Sequence, residues 1–178
     1  IKPEALLQLA LKSNVGALAL ADINSTSAHI DFVRFAKKYG VKPVLGIDFR
    51  NGAQQQFVML AKNNDALGHL NKYLSEFLHA AKMNIPKRAK YIPETFVIYP
   101  YQNEVFELGE NEFIGIKPSD LNHLKFSEWR FQPTKLVILQ PVSFQDKKGF
   151  NTHRLLRAID NNTLLSKLPI SEQGNETD

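Results

Sequence analysis

The first 50 residues restrict the fold most narrowly, because helical and strand patterns alternate there with short connections. Residues 3–14 and 28–39 carry apolar side chains at helical spacing, and the apolar runs 17–21 and 41–49 follow them. Runs of this kind are typical of parallel strands, which are buried on both faces of a sheet between helices. The sequence therefore predicts an α/β fold.

The rest of the chain continues the pattern with weaker signals. Asn51-Gly52 is typical of a hairpin turn. Residues 117–134 predict a loop with one turn of helix at most. The other predicted elements are strands over 56–61, 96–99, 112–116 and 135–139, a long helix over 64–81 and a last helix over 150–160.

Composition excludes several classes of protein. The chain of 178 residues has no cysteine, which excludes a disulfide scaffold, a thiolate zinc site and a cysteine nucleophile. It has no G-x-S-x-G, P-loop or G-x-G-x-x-G motif, so covalent serine chemistry and Walker-type nucleotide binding have no support. No run approaches about 20 apolar residues, and no export pattern opens the chain. We expect a cytoplasmic protein without a membrane span.

Two carboxylates follow neighbouring predicted strands, where the working residues of parallel α/β folds lie. Asp22 follows the run 17–21, and Asp48 lies near the end of the run 41–49. Their side chains are expected to approach each other, and two hard oxygen ligands suit Mg²⁺ or Mn²⁺. The alternatives are a capping role for Asp22 and a solvated or ion-paired strand-end acid for Asp48. The five histidines show no H-x-H or H-x-x-x-H spacing and are expected to be structural or exposed.

One basic segment stands out in a chain whose formal net charge is only +4. Lys82, Lys87, Arg88 and Lys90 occur within nine residues that contain no acid. Such a cluster can contact phosphates or a protein partner. The alternative, which we favour for this segment alone, is a solvated loop at a basic edge.

Several ordered strings resemble one family. The segment EALLQLALKSNVGALALADINSTSAHIDFVRFAKKYGVKPVLGIDFR is similar to the polymerase-and-histidinol-phosphatase (PHP) domain of bacterial DNA polymerase III alpha subunits, with its TD(H/I)N turn and its (I/V)KP(I/V)xG(I/A)(E/D)F strand. The next segment, QQFVMLAKNNDALGHLNKYLSEFL, resembles the family's LLAKNxxGxxNLxKL. Later similarities are YIPETFVIYP, NEFIGIKPSDL and FNTHRLLRAIDNNTLLSKL.

The resemblance implies a distorted, seven-stranded β/α barrel. The chain opens on a helix at Ile1-Lys2-Pro3-Glu4 without a Met, so we expect a fragment that lacks the opening strand and is incomplete at one or both ends. The barrel domain is expected to cover residues 1–168. Residues 169–178 are expected to form a polar, disordered tail.

The resemblance also implies a metal cluster at the strand ends, from which this sequence departs. Asp22 is present, but Ile23 stands where metal-binding members have His, and isoleucine has no donor atom. Asp48 stands where they have Glu, and Gln55 or Gln56 where they have another His. Asp22 and Asp48 are therefore expected to be vestigial ligands, with no cofactor or with weakly bound Mg²⁺ or Mn²⁺.

The expected function is that of the N-terminal PHP domain of a replicative DNA polymerase III alpha subunit, a DNA-directed nucleotidyltransferase that uses Mg²⁺. The fragment itself is expected to be structural and non-catalytic. The resemblance implies as partners DNA and deoxynucleotides through the polymerase, the proofreading exonuclease, the sliding clamp and the clamp loader. The alternatives are a metal-dependent PHP phosphoesterase, a 3′–5′ exonuclease domain, and a module that only binds partners.

Overall fold

Six strands form one mixed sheet in the computed structural model, which describes residues 2–80, 84–102, 106–144 and 146–174. The strands are hydrogen-bonded in the order in which they occur along the chain. The sheet curls into a half-barrel. The prediction of an α/β fold with an incomplete PHP-type barrel is confirmed.

The elements of the first half agree closely with the predicted ones. Pro3 occupies the first helical turn, where its missing N–H is not needed, and Gly40 ends the second helix with a φ of +66°. The Asn63 side chain accepts a hydrogen bond from the Ala66 N–H and so caps the third helix. These elements are α1 (Pro3–Lys12), β1 (Ala17–Ile23), α2 (His29–Tyr39), β2 (Lys42–Asn51), β3 (Gln54–Ala61) and α3 (Asn64–Leu78).

The second half differs more from the prediction. The segment predicted as a loop over 117–134 contains several short helical turns. The last long helix begins at Lys147, not 150, because the Asp146 side chain caps it by accepting a hydrogen bond from the Gly149 N–H. The elements are β4 (Thr95–Pro100), β5 (Glu112–Ile116), α4 (Leu121–Leu124), β6 (Leu136–Ile138), α5 (Lys147–Asp160) and α6 (Ile170–Gln173), with 3₁₀ turns at Pro118–Asp120, Glu128–Phe131, Pro133–Lys135 and Leu165–Lys167.

The register of the parallel pair β1–β2 determines which side chains share a face of the sheet. Ala17 pairs with Lys42 at one end, and Ile23 pairs with Asp48 at the other. The pairs β4–β5 and β5–β6 are also parallel, whereas β3–β4 is antiparallel. Parallel pairing aligns the carboxyl ends of β1 and β2, so the residues that follow both strands meet at one edge.

The buried core has two parts, and each lies between the sheet and its helices. One joins α1 and α2 to β1, with Leu7, Leu20 and Phe32 at its centre. The other joins α3 to β2–β5 and contains Phe49 and Trp129 together with other aromatic rings. Because side chains alternate along a strand, the residues next to those core positions on β1 and β2 lie on the opposite face.

The chain divides into two compact units. One contains residues 2–51 and 55–139; the other contains residues 52–54 and the chain from 140 onward. In the latter, Phe144 packs on Phe150, and Arg157 pairs with Asp160 and Glu172. Helix α6 lies in the segment predicted as a tail, residues 175–178 lie outside the described ranges, and the boundary at 168 stays a prediction.

Among the helices in the described ranges, none combines the length and the apolar composition that a membrane span requires.

Candidate functional site

The carboxylate of Asp48 is buried and fully engaged by side chains of the same hairpin. Its Oδ2 accepts a hydrogen bond from Arg50 Nε at 2.8 Å and lies 2.6 Å from Arg50 Nη2 in the same ion pair. Its Oδ1 accepts from the Gln55 amide nitrogen at 2.9 Å. Asp48 and Arg50 meet because residues two apart in a strand point to the same face.

The structure contains one of the alternatives for Asp48, the ion-paired strand-end acid. A buried ionised carboxylate is costly unless an opposite charge and hydrogen bonds compensate for the lost water. Arg50 supplies the charge through two nitrogens, and Gln55 supplies a further donor. The ion-paired strand-end acid is therefore the alternative that the structure contains.

Asp22 lies on the other face of the sheet. In the β1–β2 register Asp22 pairs with Ile47, whereas Ile23 pairs with Asp48. Paired residues point to the same face and successive residues to opposite faces, so the two carboxylates are turned away from each other. The expectation that Asp22 and Asp48 approach each other is wrong, because their positions differ by one residue in register.

Asn24 joins the end of β1 to the backbone of Arg50. Its side chain accepts a hydrogen bond from the Arg50 N–H at 3.0 Å and donates one to the Arg50 carbonyl at 2.9 Å, while its own N–H donates to the Asp48 carbonyl at 3.0 Å. Its φ of +46° is left-handed, a conformation that asparagine tolerates better than most residues. Asn24 thus fixes the backbone that carries the Arg50 guanidinium.

The surroundings of Asp48 bear on whether a divalent cation could bind there. Its cross-strand neighbour Ile23 is 53% exposed and has no donor atom. Over the described ranges, no three His, Cys, Asp or Glu side chains are grouped so that they could hold a metal ion. Mg²⁺ prefers about six oxygen ligands, whereas the carboxylate here already faces a guanidinium.

His29 is buried at the start of α2 and tied to β2. Its Nε2 lies 3.0 Å from the carbonyl oxygen of Gly46, and because a carbonyl only accepts, Nε2 carries the proton. Its Nδ1 is buried and has no hydrogen-bond partner among the described residues. Burial lowers the pKa of His29, and the Gly46 carbonyl and the Asp22 carboxylate oppose that shift.

We expect stability to fall on acidification because His29 is neutral in the folded protein. A pKa lowered by folding means that the unfolded chain takes up the proton first, so stability is complete above the unfolded value and is lost as pH falls through the folded one. Urea unfolding between about pH 7.5 and 5, where carboxylates remain ionised, measures this slope. The His29→Gln variant should have a shallower slope than the wild type.

Two other histidines are compared with His29 in the same measurement. Burial and Arg157 lower the pKa of His153, so His153→Gln should also reduce the slope. His69 is exposed on α3, and the His69→Gln variant controls for the substitution itself. An unaltered slope in the His29→Gln variant would contradict the assignment.

The basic segment is not a uniform cluster. Lys82 lies outside the described residues. Lys87 and Lys90 are exposed, and neither forms an ion pair with a described residue. Contact of these lysines with nucleic acid or a partner stays a prediction.

Arg88 takes part in a network of side-chain contacts. Its guanidinium donates to Glu112 at 2.8 Å and lies over the rings of Tyr99 and Phe106, at 4.8 and 4.7 Å from their centroids. Glu112 also accepts from the Tyr99 hydroxyl and from the Gly109 N–H, each at 2.8 Å. Burial and the bond to Glu112 raise the pKa of Tyr99. A cavity of about 400 Å³ adjoins the network, lined among others by Lys90, Tyr91, Glu107 and Glu110.

Sequence reasoning missed Arg50 and Asn24. The signal for Arg50 was the Asp-x-Arg spacing within a strand, which puts both side chains on one face. The signal for Asn24 was its position in the DIN turn, since asparagine is favoured where a turn needs a positive φ.

Comparison with known proteins agrees with this architecture. The PHP domain family matches residues 1–118. A DNA polymerase III subunit alpha of Staphylococcus aureus strain COL is 28% identical over 172 residues, which cover 93% of this chain and 16% of that protein. A DNA polymerase III subunit alpha of S. aureus strain Mu50 is 27% identical over 168 residues, with the same coverage.

The chain spans only 16% of the length of these relatives. The family match covers 118 of 178 residues and ends just after β5, so it includes the first five strands of the half-barrel and the edge where β1 and β2 end. The chain therefore belongs to the PHP domain family.

Proposed function

We propose that this chain is the PHP domain of a replicative polymerase subunit of the DNA polymerase III alpha kind, and that it serves there as a structural and partner-docking domain without a working metal site. The ion pair between Asp48 and Arg50 is the observation that carries the proposal. A guanidinium beside the remaining carboxylate supplies the positive charge that a bound cation would otherwise supply.

The ligand positions support the same interpretation. Ile23 has no atom that could ligate a metal, and the side-chain amide N–H of Gln55 is hydrogen-bonded to Asp48. Removing several ligands should weaken metal binding well beyond the roughly 10–100-fold effect of an outer-shell change.

Calorimetric titration of the full chain with Mn²⁺ and Zn²⁺ tests the proposal. We expect no stoichiometric binding at micromolar concentrations. The triple variant Ile23→His, Arg50→Gln, Gln55→His keeps Asp48 and should bind Zn²⁺ more tightly than the wild type, because it restores imidazoles and removes the competing charge. Tight one-to-one binding by the wild type that Asp48→Asn abolishes would contradict the proposal.

Activity assays on the same purified protein distinguish the enzymatic alternatives. Hydrolysis of an aryl phosphate, or release of 3′-terminal nucleotides from single-stranded DNA, would point to a phosphoesterase or a 3′–5′ exonuclease. We expect neither with Mn²⁺ present. Nucleotidyl transfer, Mg²⁺ and deoxynucleotides belong in this proposal to the remainder of the polymerase, in the cytoplasm.

The docking role has its own test. The proposed partners are the proofreading exonuclease, the sliding clamp and the clamp loader. Pull-down of the purified components by the full chain should retain at least one of them, and failure with all three would contradict a docking role while leaving the metal result intact.

A further inference from the structure

Two phenylalanine rings project into solvent from one short segment. Phe126 is 88% exposed and Phe131 is 71% exposed. Large apolar side chains favour burial, so two exposed rings a few residues apart mark a candidate binding surface. We call this segment, residues 125–131, the Phe126–Phe131 surface.

The Phe126–Phe131 surface is held to the core by a buried side chain and by backbone hydrogen bonds. Trp129, between the two rings in sequence, is fully buried, packs against Phe106 and donates from Nε1 to the carbonyl of Gln102 at 3.1 Å. The turns on either side are closed by backbone hydrogen bonds from Phe126 to His123 and from Gln132 to Trp129. The rings are therefore presented by a fixed scaffold, which lowers the entropic cost of binding.

A guanidinium lies over one of the two rings. Arg130 donates from Nη1 to the carbonyl of Lys125 at 2.9 Å, directly before Phe126 in the chain, and its guanidinium carbon lies 4.5 Å from the centroid of the Phe131 ring. Neither Arg130 nor Lys125 forms an ion pair with a described residue. Two positive side chains without an ion pair to a described residue thus accompany the two exposed rings, and the exposed carboxylate of Glu128 lies in the same segment.

We infer that the Phe126–Phe131 surface binds single-stranded nucleic acid, with bases stacked on the two rings and phosphates near Arg130 and Lys125. Aromatic rings with adjacent cations are the elements of such sites, because every base has a face to stack and every nucleotide a negative charge. An apolar protein partner fits less well, since Ser127, Glu128 and Gln132 make the surroundings polar. This inference goes beyond the proposed function, because it assigns a nucleic-acid contact to this domain itself.

Fluorescence anisotropy of a labelled oligo(dT) of about 12 nucleotides, titrated with the full chain at low salt, tests the inference. Phe126→Ala and Phe131→Ala should each weaken binding roughly fivefold or more, because each removes a stacking partner. Arg130→Gln should also weaken binding and make its salt dependence shallower. Ile30→Ala, which shortens an equally exposed apolar side chain on α2, should bind like the wild type.

Two further probes separate stacking from general attraction to polyanions. A DNA duplex of the same length should bind more weakly than oligo(dT), and polyglutamate should bind without sensitivity to the phenylalanine variants. The inference is overturned if the wild type does not bind oligo(dT), if the phenylalanine variants bind it unchanged, or if polyglutamate binding falls in parallel. Circular dichroism checks that each variant is folded, and metal titration of the same variants should be unaffected.

Discussion

Replacing Arg50 with alanine is expected to lower the free energy of unfolding by about 3 kcal/mol or more, because it leaves the buried carboxylate of Asp48 without its counter-charge. The Arg50 side chain is only 21% exposed and that of Asp48 only 8%, so the ion pair is largely shielded from water. Urea unfolding at pH 7.5, followed by circular dichroism and by Trp129 fluorescence, gives the change directly.

The exposed pair Arg34–Asp31 on α2 is the matched control. Its N–O distance is also short, 2.7 Å, but its side chains are 68% and 56% exposed. Arg34→Ala should therefore cost no more than about 0.5 kcal/mol. The double variant Asp48→Asn, Arg50→Gln should cost less than the two single changes together, because no charge is left unpaired. Equal effects of Arg50→Ala and Arg34→Ala would mean that Asp48 is not held as described.

Replacing Gly46 with alanine should lower the free energy of unfolding by about 2 kcal/mol or more. A Cβ atom there would lie 2.3 Å from the Met59 carbonyl oxygen and 2.5 Å from Leu60 Cδ2, so the backbones of β2 and β3 would have to separate. The same shift would disturb the Gly46 carbonyl that accepts from His29.

Gly68 in α3 provides a control with the opposite sign. A Cβ at Gly68 meets nothing within 4 Å. Gly68→Ala should therefore raise the free energy of unfolding by about 0.5–1 kcal/mol through helix propensity alone. If Gly46→Ala proved neutral in the same denaturation series, the close approach of β2 and β3 would be contradicted.

The regular part of the fold is predictable because its signals are local. Apolar spacing predicted α1, α2 and α3, and short apolar runs predicted the strands, since helices and parallel strands each impose one period on the sequence. Segment 117–134 carries no such period, so its turns were missed. Trp129 is buried there by contacts with Phe106 and Gln102, which sequence spacing does not reveal.

For the candidate site, the strand ends at which its residues lie were predictable, but the arrangement of their side chains was not. The positions of Asp22 and Asp48 at strand ends followed from the pattern, but the face to which each side chain points depends on a register that one residue reverses. Arg88 shows the same limit. Its charge suggested a phosphate contact, which stays a prediction, but its hydrogen bond to the long-range neighbour Glu112 could not be read from sequence spacing.

The Asp48–Arg50 pair has a consequence for how this corner of the sheet is assembled. An ion taken from solution dissociates, can be stripped by a chelator and competes with metals higher in the affinity series. A guanidinium is tethered covalently to its own strand and stays protonated at every physiological pH. In the proposed domain without a working metal site, the β2–β3 hairpin is therefore held by a charged group of its own strand, and this ion pair forms with the hairpin without a loading step.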